Sequence, residues 1–450
     1  MNERVIRGRR LLVGGEVKPA SLRLRGKKIV EVGSYDAPLG GAELTDAGDL
    51  LVTPGVIDSH VHINEPGRTE WEGFETATQA AAAGGITTVV DMPLNCIPAT
   101  VSGDAAKRKH DALGDQLFTN VVFWGGVIPG NANALEGLRN FGVPGCKCFT
   151  CPSGVDEFPH VVEADLDQAM PVLRDLDLTL LVHAEAPGPL DRAALAMKGQ
   201  PPEKYSTYLA SRPKSAEDEA IAMVIALARK HGTRVHIVHL SSATAIPLIE
   251  QAQRTGVKIT AETCLHYLTF TAEEIPDRAT GFKCAPPIRE ASNQAALWDG
   301  LRRGVISMVV SDHSPCTPQL KLLEKGDFEK AWGGIASLQL GLSAFFTGCE
   351  KQKIPIPWMV QLNTLATAQL TGLADRKGKL APGYDADLVI WDDKASFTVK
   401  AEELRHKHKL TPYAGRTLKG VVKTTLIGGE VAYDAATGLS KPKGELIKRT

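Results

Sequence analysis

A chain of 450 residues is long enough for two or three ordinary domains, or for one large α/β barrel with an addition. Its 51 Lys and Arg balance 52 Asp and Glu, so nothing in the charge points to nucleic acid or a membrane surface, and no apolar run is long enough to cross a bilayer. Residues 1–10 lack the apolar core of a secretory signal, and the eight cysteines are scattered rather than spaced as a disulfide framework; a cytoplasmic protein with reduced, half-buried thiols is expected.

Taken in chain order, residues 1–50 carry short alternating runs with tight turns: Leu11-Leu12-Val13 before Gly14-Gly15, then Leu22-Arg23-Leu24-Arg25, then Ile29-Val30-Glu31-Val32. Such alternation marks half-exposed strands, and the paired glycines supply the turns. The same texture returns near the other end, in Leu388-Val389-Ile390-Trp391 and in Val421-Val422-Lys423-Thr424-Thr425-Leu426-Ile427 before Gly428-Gly429. The two ends, 1–50 and 379–450, are expected to build one small β-sandwich, the last residues forming a tail. Residues 51–378 form a separate unit between them.

That middle unit alternates strands with helices. Strands are expected at 51–57, 86–91, 119–127, 145–149, 178–183, 235–240, 257–262 and 305–312. Helices are expected over 72–83, stopped by Gly84-Gly85, over 217–230, stopped by Gly232, and over 243–254, with Ser241-Ser242 as its N-cap. Eight such units predict a (β/α)8 TIM barrel, whose chemistry gathers at the carboxyl ends of the strands.

The strand ends carry a consistent set of polar residues. His60 and His62 follow the first strand in Asp58-Ser59-His60-Val61-His62, two apart and so on one face. Lys147 lies on the fourth strand, His183 ends the fifth, His239 the sixth and Asp312 the eighth. Any one of these is as readily a satisfied core residue as a ligand. Four His, one Lys and one Asp at one rim are poorly explained by packing, because buried charge is costly unless paired or metal-bound. A lysine ammonium repels a cation, but carboxylation by CO2 turns its amine into a carbamate with one negative charge and two bridging oxygens. Two divalent ions, balanced by the carbamate, Asp312 and a hydroxide, then leave a single net positive charge. Imidazole and carboxylate donors suit zinc, with Co, Mn or Fe as alternatives.

Several stretches carry a family resemblance. They are Asn64-Glu65-Pro66-Gly67-Arg68-Thr69-Glu70-Trp71, Gly84-Gly85-Ile86-Thr87-Thr88 with Met92-Pro93-Leu94-Asn95, Ser153-Gly154-Val155-Asp156-Glu157-Phe158-Pro159, Lys283-Cys284-Ala285-Pro286-Pro287-Ile288-Arg289, Ser311-Asp312-His313-Ser314-Pro315-Cys316 and Ala331-Trp332-Gly333-Gly334-Ile335. On these, essentially the whole chain resembles the cyclic amidohydrolases of the amidohydrolase superfamily (dihydroorotases, hydantoinases and allantoinases) and within them the allantoinase branch. The resemblance implies a distorted barrel, a binuclear metal site and a carboxylated Lys147, with His60, His62, His183, His239 and Asp312 as the other ligands. It implies hydrolysis of allantoin to allantoate by a metal-bridging hydroxide, with Asp312 as proton shuttle, and a homotetramer. Dihydroorotases place an Arg two residues after the second His, where it grips a carboxylate. Here that residue is Asn64, which suits an uncharged ureido group. Many allantoinases have Ser where this chain has Ala285, so only backbone contacts are expected there. Asn95, Ala285, Ser314 and Gly333 are the expected substrate contacts, the Gly333-Gly334 pair serving as a mobile lid or a close backbone approach.

Some members of this fold have lost their ligands and act as binding scaffolds, whereas here all six positions are filled. Cys146-x-Cys148-x-x-Cys151 is not read as a zinc site, since strand alternation turns Cys146 and Cys148 away from Lys147 and no second pair follows. His236 and His313 are expected behind the ligands rather than among them. The run Arg405-His406-Lys407-His408-Lys409 reads as a solvated basic face.

Overall fold

The computed structural model describes residues 3–449; Met1, Asn2 and Thr450, which fall in the expected end unit, lie outside the described residues. Nine strands from the two chain ends form one sheet. The first part supplies β1 (Glu3–Val13), β2 (Glu16–Arg25), β3 (Lys28–Gly33), β4 (Glu43–Asp46) and β5 (Leu51–Pro54). The last part supplies β15 (Leu388–Thr398), β16 (Thr417–Ile427), β17 (Glu430–Asp434) and β18 (Gly438–Leu439). Their order is β18-β17-β16-β15-β5-β1-β2-β3, with β4 on β1. Gly14-Gly15 and Gly428-Gly429 both have positive φ at each residue and close the two-residue hairpins expected of them. The sheet curls so that its edge meets its middle. Ile29 of β3 exchanges backbone hydrogen bonds with Gly383 and Tyr384, the lead-in to β15. Ile6, Leu22, Val52, Leu388 and Leu426 fill the space enclosed.

Between these ends lie β6 (Val56–Val61), β7 (Ile86–Asp91), β8 (Asn120–Phe123), β9 (Gly125–Gly126), β10 (Gly145–Phe149), β11 (Thr179–His183), β12 (Val235–Ile237), β13 (Ile259–Cys264) and β14 (Met308–Val310). All pair in parallel, as β6-β7-β8 and as β9 through β14, and a parallel bridge from Val61 to His313 returns β14 to β6. This is the expected α/β barrel, distorted at two points. Residues 119–127 are two strands, because Trp124 turns its indole inward to donate to Ser59 O at 2.8 Å. The gap left beside β8 is filled from the chain end: Val121 N donates to Glu445 O, Ile447 N donates to Val121 O, and Ile447 is buried under Trp124 and Val122. Residues 51–57 also divide. β5 belongs to the end sheet and β6 to the barrel, with Gly55 at the crossing, where a Cβ would overlap Thr87.

Helix Phe74–Ala83 stops at Gly84, and helix Lys214–His231 stops at Gly232 in the left-handed region, φ 71°. Helix Ile246–Arg254 begins through a 3-10 turn, Ala243–Ala245, and neither serine caps it with its side chain. Instead the Glu217 carboxylate takes the N–H of Ser241 and Ser242, at 3.0 and 2.9 Å. A full negative charge at a helix start outbids a hydroxyl.

Candidate metal centre

The barrel rim gathers all six residues. The donor atoms of His60, His62 and Asp312 lie within 4.8 Å of one another. Asp312 Oδ1 is 3.2 Å from His60 Nε2 and 3.5 Å from His62 Nε2. Lys147 Nζ stands 3.1 Å from His60 Nε2, and His183 Nδ1 stands 3.0 Å from His239 Nε2. The rings of His60 and His239 are 5.3 Å apart, which joins the two groups. Lys147 and His183 are strand residues, as expected. His239 and Asp312 are not: β12 and β14 end two residues earlier, and both side chains come from left-handed backbone, φ 39° and 45°. Asn64 and Asn95 share this conformation, φ 68° and 67°. Left-handed backbone is uncommon outside glycine, Asn, Asp and His being the side chains that tolerate it best, and here four such residues gather at one site.

Carboxylates behind the rings fix their orientation. Glu262 Oε1 lies 2.5 Å from His60 Nδ1 and accepts the His239 N–H at 3.3 Å, while Oε2 lies 3.1 Å from His236 Nε2. Glu185 Oε2 lies 2.8 Å from His183 Nε2, and Arg212 Nε donates to Glu185 Oε1 at 3.0 Å. His313 places Nε2 3.3 Å from Glu72 and takes the N–H of Ser337 and Leu338 on Nδ1. His236 and His313 thus stand behind the rim. The sequence reading assigned no part to Glu262, Glu185 or Arg212. Only the inward register that Glu262 shares with Thr260 and Cys264 on β13 signalled one of them.

Burial sets the electrostatics. It pushes His60 and His239 well below the ordinary imidazole value, with Lys147 and neighbouring rings adding to the effect, and lowers His62 and His183 as well. These shifts favour the neutral rings, whose lone pairs can serve a metal. Burial lowers Lys147 to about 8. Burial raises Asp58 to about 6. Asp312 resists the same burial: its hydrogen bond to His62 and the charges around it hold it below the usual carboxylate value.

A cavity of about 900 Å³ opens on this rim. His62, Lys147, His183, His239 and Asp312 line it, and so do Asn95, Ala285, Ser314 and Gly333. Asn95 Nδ2 is 3.4 Å from His62 Nδ1. The Gly333-Gly334 stretch approaches its neighbours closely: Gly334 has φ 145°, and a Cβ there would overlap Ser314 O. Trp332 beside it packs edge-on to Trp71 at 4.8 Å. Cys146 and Cys148 are buried in the core, apart from the rim, whereas Cys151 lies close to His183 and Glu185. The stretch 405–409 is a solvated face only in part: Arg405 and Lys409 are exposed, while His406 to His408 are partly or fully covered. His406 is fully buried beside His313, Lys407 N donates to Glu72 Oε1 at 3.0 Å, and His408 Nε2 lies 2.7 Å from Glu70 O. It straps the loop after β6 to the end of the barrel.

A family model described as the amidohydrolase family matches residues 51–432. The allantoinase of Streptomyces avermitilis is 46% identical over 448 residues, covering 99% of this chain and 99% of the relative. The allantoinase of Saccharomyces cerevisiae is 47% identical over 412 residues, covering 90% and 87%. Among solved structures, the L-hydantoinase (dihydropyrimidinase) of Arthrobacter aurescens superposes with a TM-score of 0.94 at 28% identity over 100% of both chains. The dihydropyrimidinase of Brevibacillus agri NCHU1002 superposes at 0.91 and 28%, over 100% and 99%.

Proposed function

This chain belongs to the amidohydrolase family and is a cyclic amide hydrolase; from that premise we propose that it opens the hydantoin ring of allantoin to give allantoate, in purine catabolism. The observation that carries the substrate is the 46–47% identity to allantoinases over most of the chain, set against 28% for the hydantoinase neighbours. Asn64 agrees with it. The side chain is buried and donates to Pro315 O at 3.4 Å, so no cation stands at that position to demand a carboxylate.

The residues fit a pair of divalent metal ions. Four neutral, buried imidazoles and one carboxylate converge, and the Nδ1 of His239 has no hydrogen-bond partner among the described residues. In this reading His60, His62, His183, His239 and Asp312, with Lys147 as its carbamate, would hold the two ions. Zinc is the ion these donors favour. When bound, the pair supplies Lewis-acid polarisation of the ring carbonyl and a water acidified to near neutrality. Asp312 accepts the proton of the attacking water and returns it to the ring nitrogen as the C–N bond breaks. Glu262 and Glu185 hold the rings at the angle this requires. Among the described residues no helix is long and apolar enough to cross a membrane. A cytoplasmic homotetramer completes the reading, and sedimentation equilibrium tests the assembly.

The deciding experiment measures allantoate formation by purified protein supplied with zinc, cobalt or manganese and bicarbonate. A chelated control and parallel assays on dihydroorotate and hydantoin run beside it. Metal-dependent turnover of allantoin is expected. Preference for another ring, or no turnover by protein shown to hold two metals, overturns the substrate.

A further inference from the structure

Residues 329–334 form one wall of the cavity, and two buried lysines hold that wall from behind. Lys283 Nζ donates to Glu329 O at 3.0 Å and Ala331 O at 2.5 Å. Lys321 Nζ donates to Trp332 O at 3.1 Å, to Lys283 O at 3.4 Å and to Gly334 O. An ammonium has three N–H donors, so Lys321 spends all of them on main-chain carbonyls. Lys321 is 4% exposed and Lys283 9%. Among the described residues neither ammonium has a carboxylate in hydrogen-bond contact, although Lys283 also stands over the Tyr208 ring at 5.1 Å, and burial lowers the pKa of both amines. A neutral side chain could fill the same space without the cost of burying a charge, so the charge itself needs a reason.

The peptide geometry supplies one. A trans peptide sets its N–H opposite its C=O. The Trp332 carbonyl is turned to Lys321, so the Gly333 N–H points the other way, into the cavity that Gly333 lines. The flanking amides are engaged: Trp332 N donates to Leu320 O and Gly334 N to Lys283 O, both at 2.8 Å. Among the described residues, the N–H groups of Gly333 and Ala285 find no acceptor within the chain. They are neighbours, since a Cβ on Gly333 would lie 3.7 Å from Ala285 N.

We propose that Lys321, assisted by Lys283, is a positioning residue for substrate recognition: the two buried ammonium groups draw the carbonyls of Glu329, Ala331, Trp332 and Gly334 away from the cavity and so present the Gly333 N–H to a substrate carbonyl. The charge also polarises the Trp332–Gly333 peptide and strengthens its N–H as a donor. The loop is on this account a fixed wall and not a lid. The inference rests on reading the cavity as the site of a cyclic ureide, whose carbonyl oxygens are the natural acceptors.

Lys321→Met and Lys321→Gln, in the full-length metal-loaded protein, test it through two independent readouts. The first is amide hydrogen exchange of a peptide covering 329–335 without substrate. Exchange is expected to rise in Lys321→Met and to rise less in Lys321→Gln, which keeps donors but no charge. The second is steady-state kinetics on allantoin. KM is expected to rise about tenfold in Lys321→Met, the loss of one good hydrogen bond, with kcat and metal content little changed. Unchanged exchange overturns the clamp. Faster exchange with an unchanged KM reduces Lys321 to a fastening and overturns its part in recognition. If wild-type protein does not turn over allantoin, the functional reading falls, and hydrogen exchange still judges the clamp. Should Lys321→Met fail to fold, Lys283→Met is judged by the same two readouts.

Discussion

Glu262 Oε1 lies 2.5 Å from His60 Nδ1, joining residues 202 positions apart beneath the rim. The same oxygen takes the backbone N–H of His239, so one carboxylate sets a ring in one half of the site and a chain position in the other. Glu262→Gln keeps the shape and removes the charge. Metal affinity or activity is expected to fall about 10–100-fold, because the charge that orients and strengthens the His60 ring is lost. Titration of apoprotein with zinc, followed by metal analysis and kcat, checks this; wild-type affinity and rate would remove Glu262 from the site.

Asp312 and Lys147 separate proton transfer from metal retention. Asp312→Asn is expected to keep part of the metal and lose turnover by at least about a hundredfold, the scale of a lost proton shuttle. Lys147→Ala is expected to lose the metal pair and to regain metal and activity when a small carboxylate is added. Metal content measured beside kcat distinguishes the two, and wild-type activity in either variant sinks the assignment.

The strand end that carries His62 leans on a buried ion pair. Asp91 Oδ1 accepts the Ile63 N–H at 2.8 Å, and Asp91 pairs with Lys109, which also donates to Met92 O at 2.9 Å. Both charges are fully buried. Lys109→Met leaves the Asp91 carboxyl buried without its ion-pair partner, and is expected to cost about 3–5 kcal/mol of stability. Urea unfolding of the apoprotein measures it; a cost below about 1 kcal/mol would show that the pair is dispensable.

The curled end sheet has its own charge lock. Asp385 is held below its ordinary pKa despite burial, through the Lys377 charge and hydrogen bonds from Lys28 and Arg376. A carboxylate with a depressed folded pKa stabilises the fold above its unfolded pKa, and that stability is lost as pH falls through the folded value. Asp385→Asn is therefore expected to be less stable than wild type at pH 7, with the gap closing below about pH 4. Thermal unfolding at the two pH values tests the sign; a gap that is constant with pH would assign the effect to packing.

Local pattern carries much of this molecule, and it fails where distant residues decide. Lys147 and His183 were legible because they sit on regular strands, where alternation assigns a face. His239 and Asp312 follow short strands in left-handed backbone, a conformation that an apolar run ending in His or Asp does not announce. Glu262 carries no local sign of the ring it orients, since that ring comes from β6, two strands away across the closure of the barrel and 202 positions away in the chain. Ser241-Ser242 looked like a cap because the carboxylate that takes its place, Glu217, lies more than a turn of chain away. The charged run 405–409 looked solvated because charge suggests water, whereas His406 is buried by packing against His313. Gly55 and Trp124 broke expected strands through contacts that exist only in the closed barrel.

The pairing of β5 with β15 bears on how the chain is made. β15 ends at Thr398, about 340 residues after β5, and Arg10 on β1 finds Asp393 across 383 positions. At roughly 5–20 residues per second of synthesis, the open edge of β5 waits on the order of 20–70 s for its partner. During that interval β1 to β5 are an unfinished sheet, with bare N–H and C=O groups facing outward. A fragment that stops short of β15 is therefore expected to aggregate rather than settle as a domain, which light scattering of the truncated chain measures.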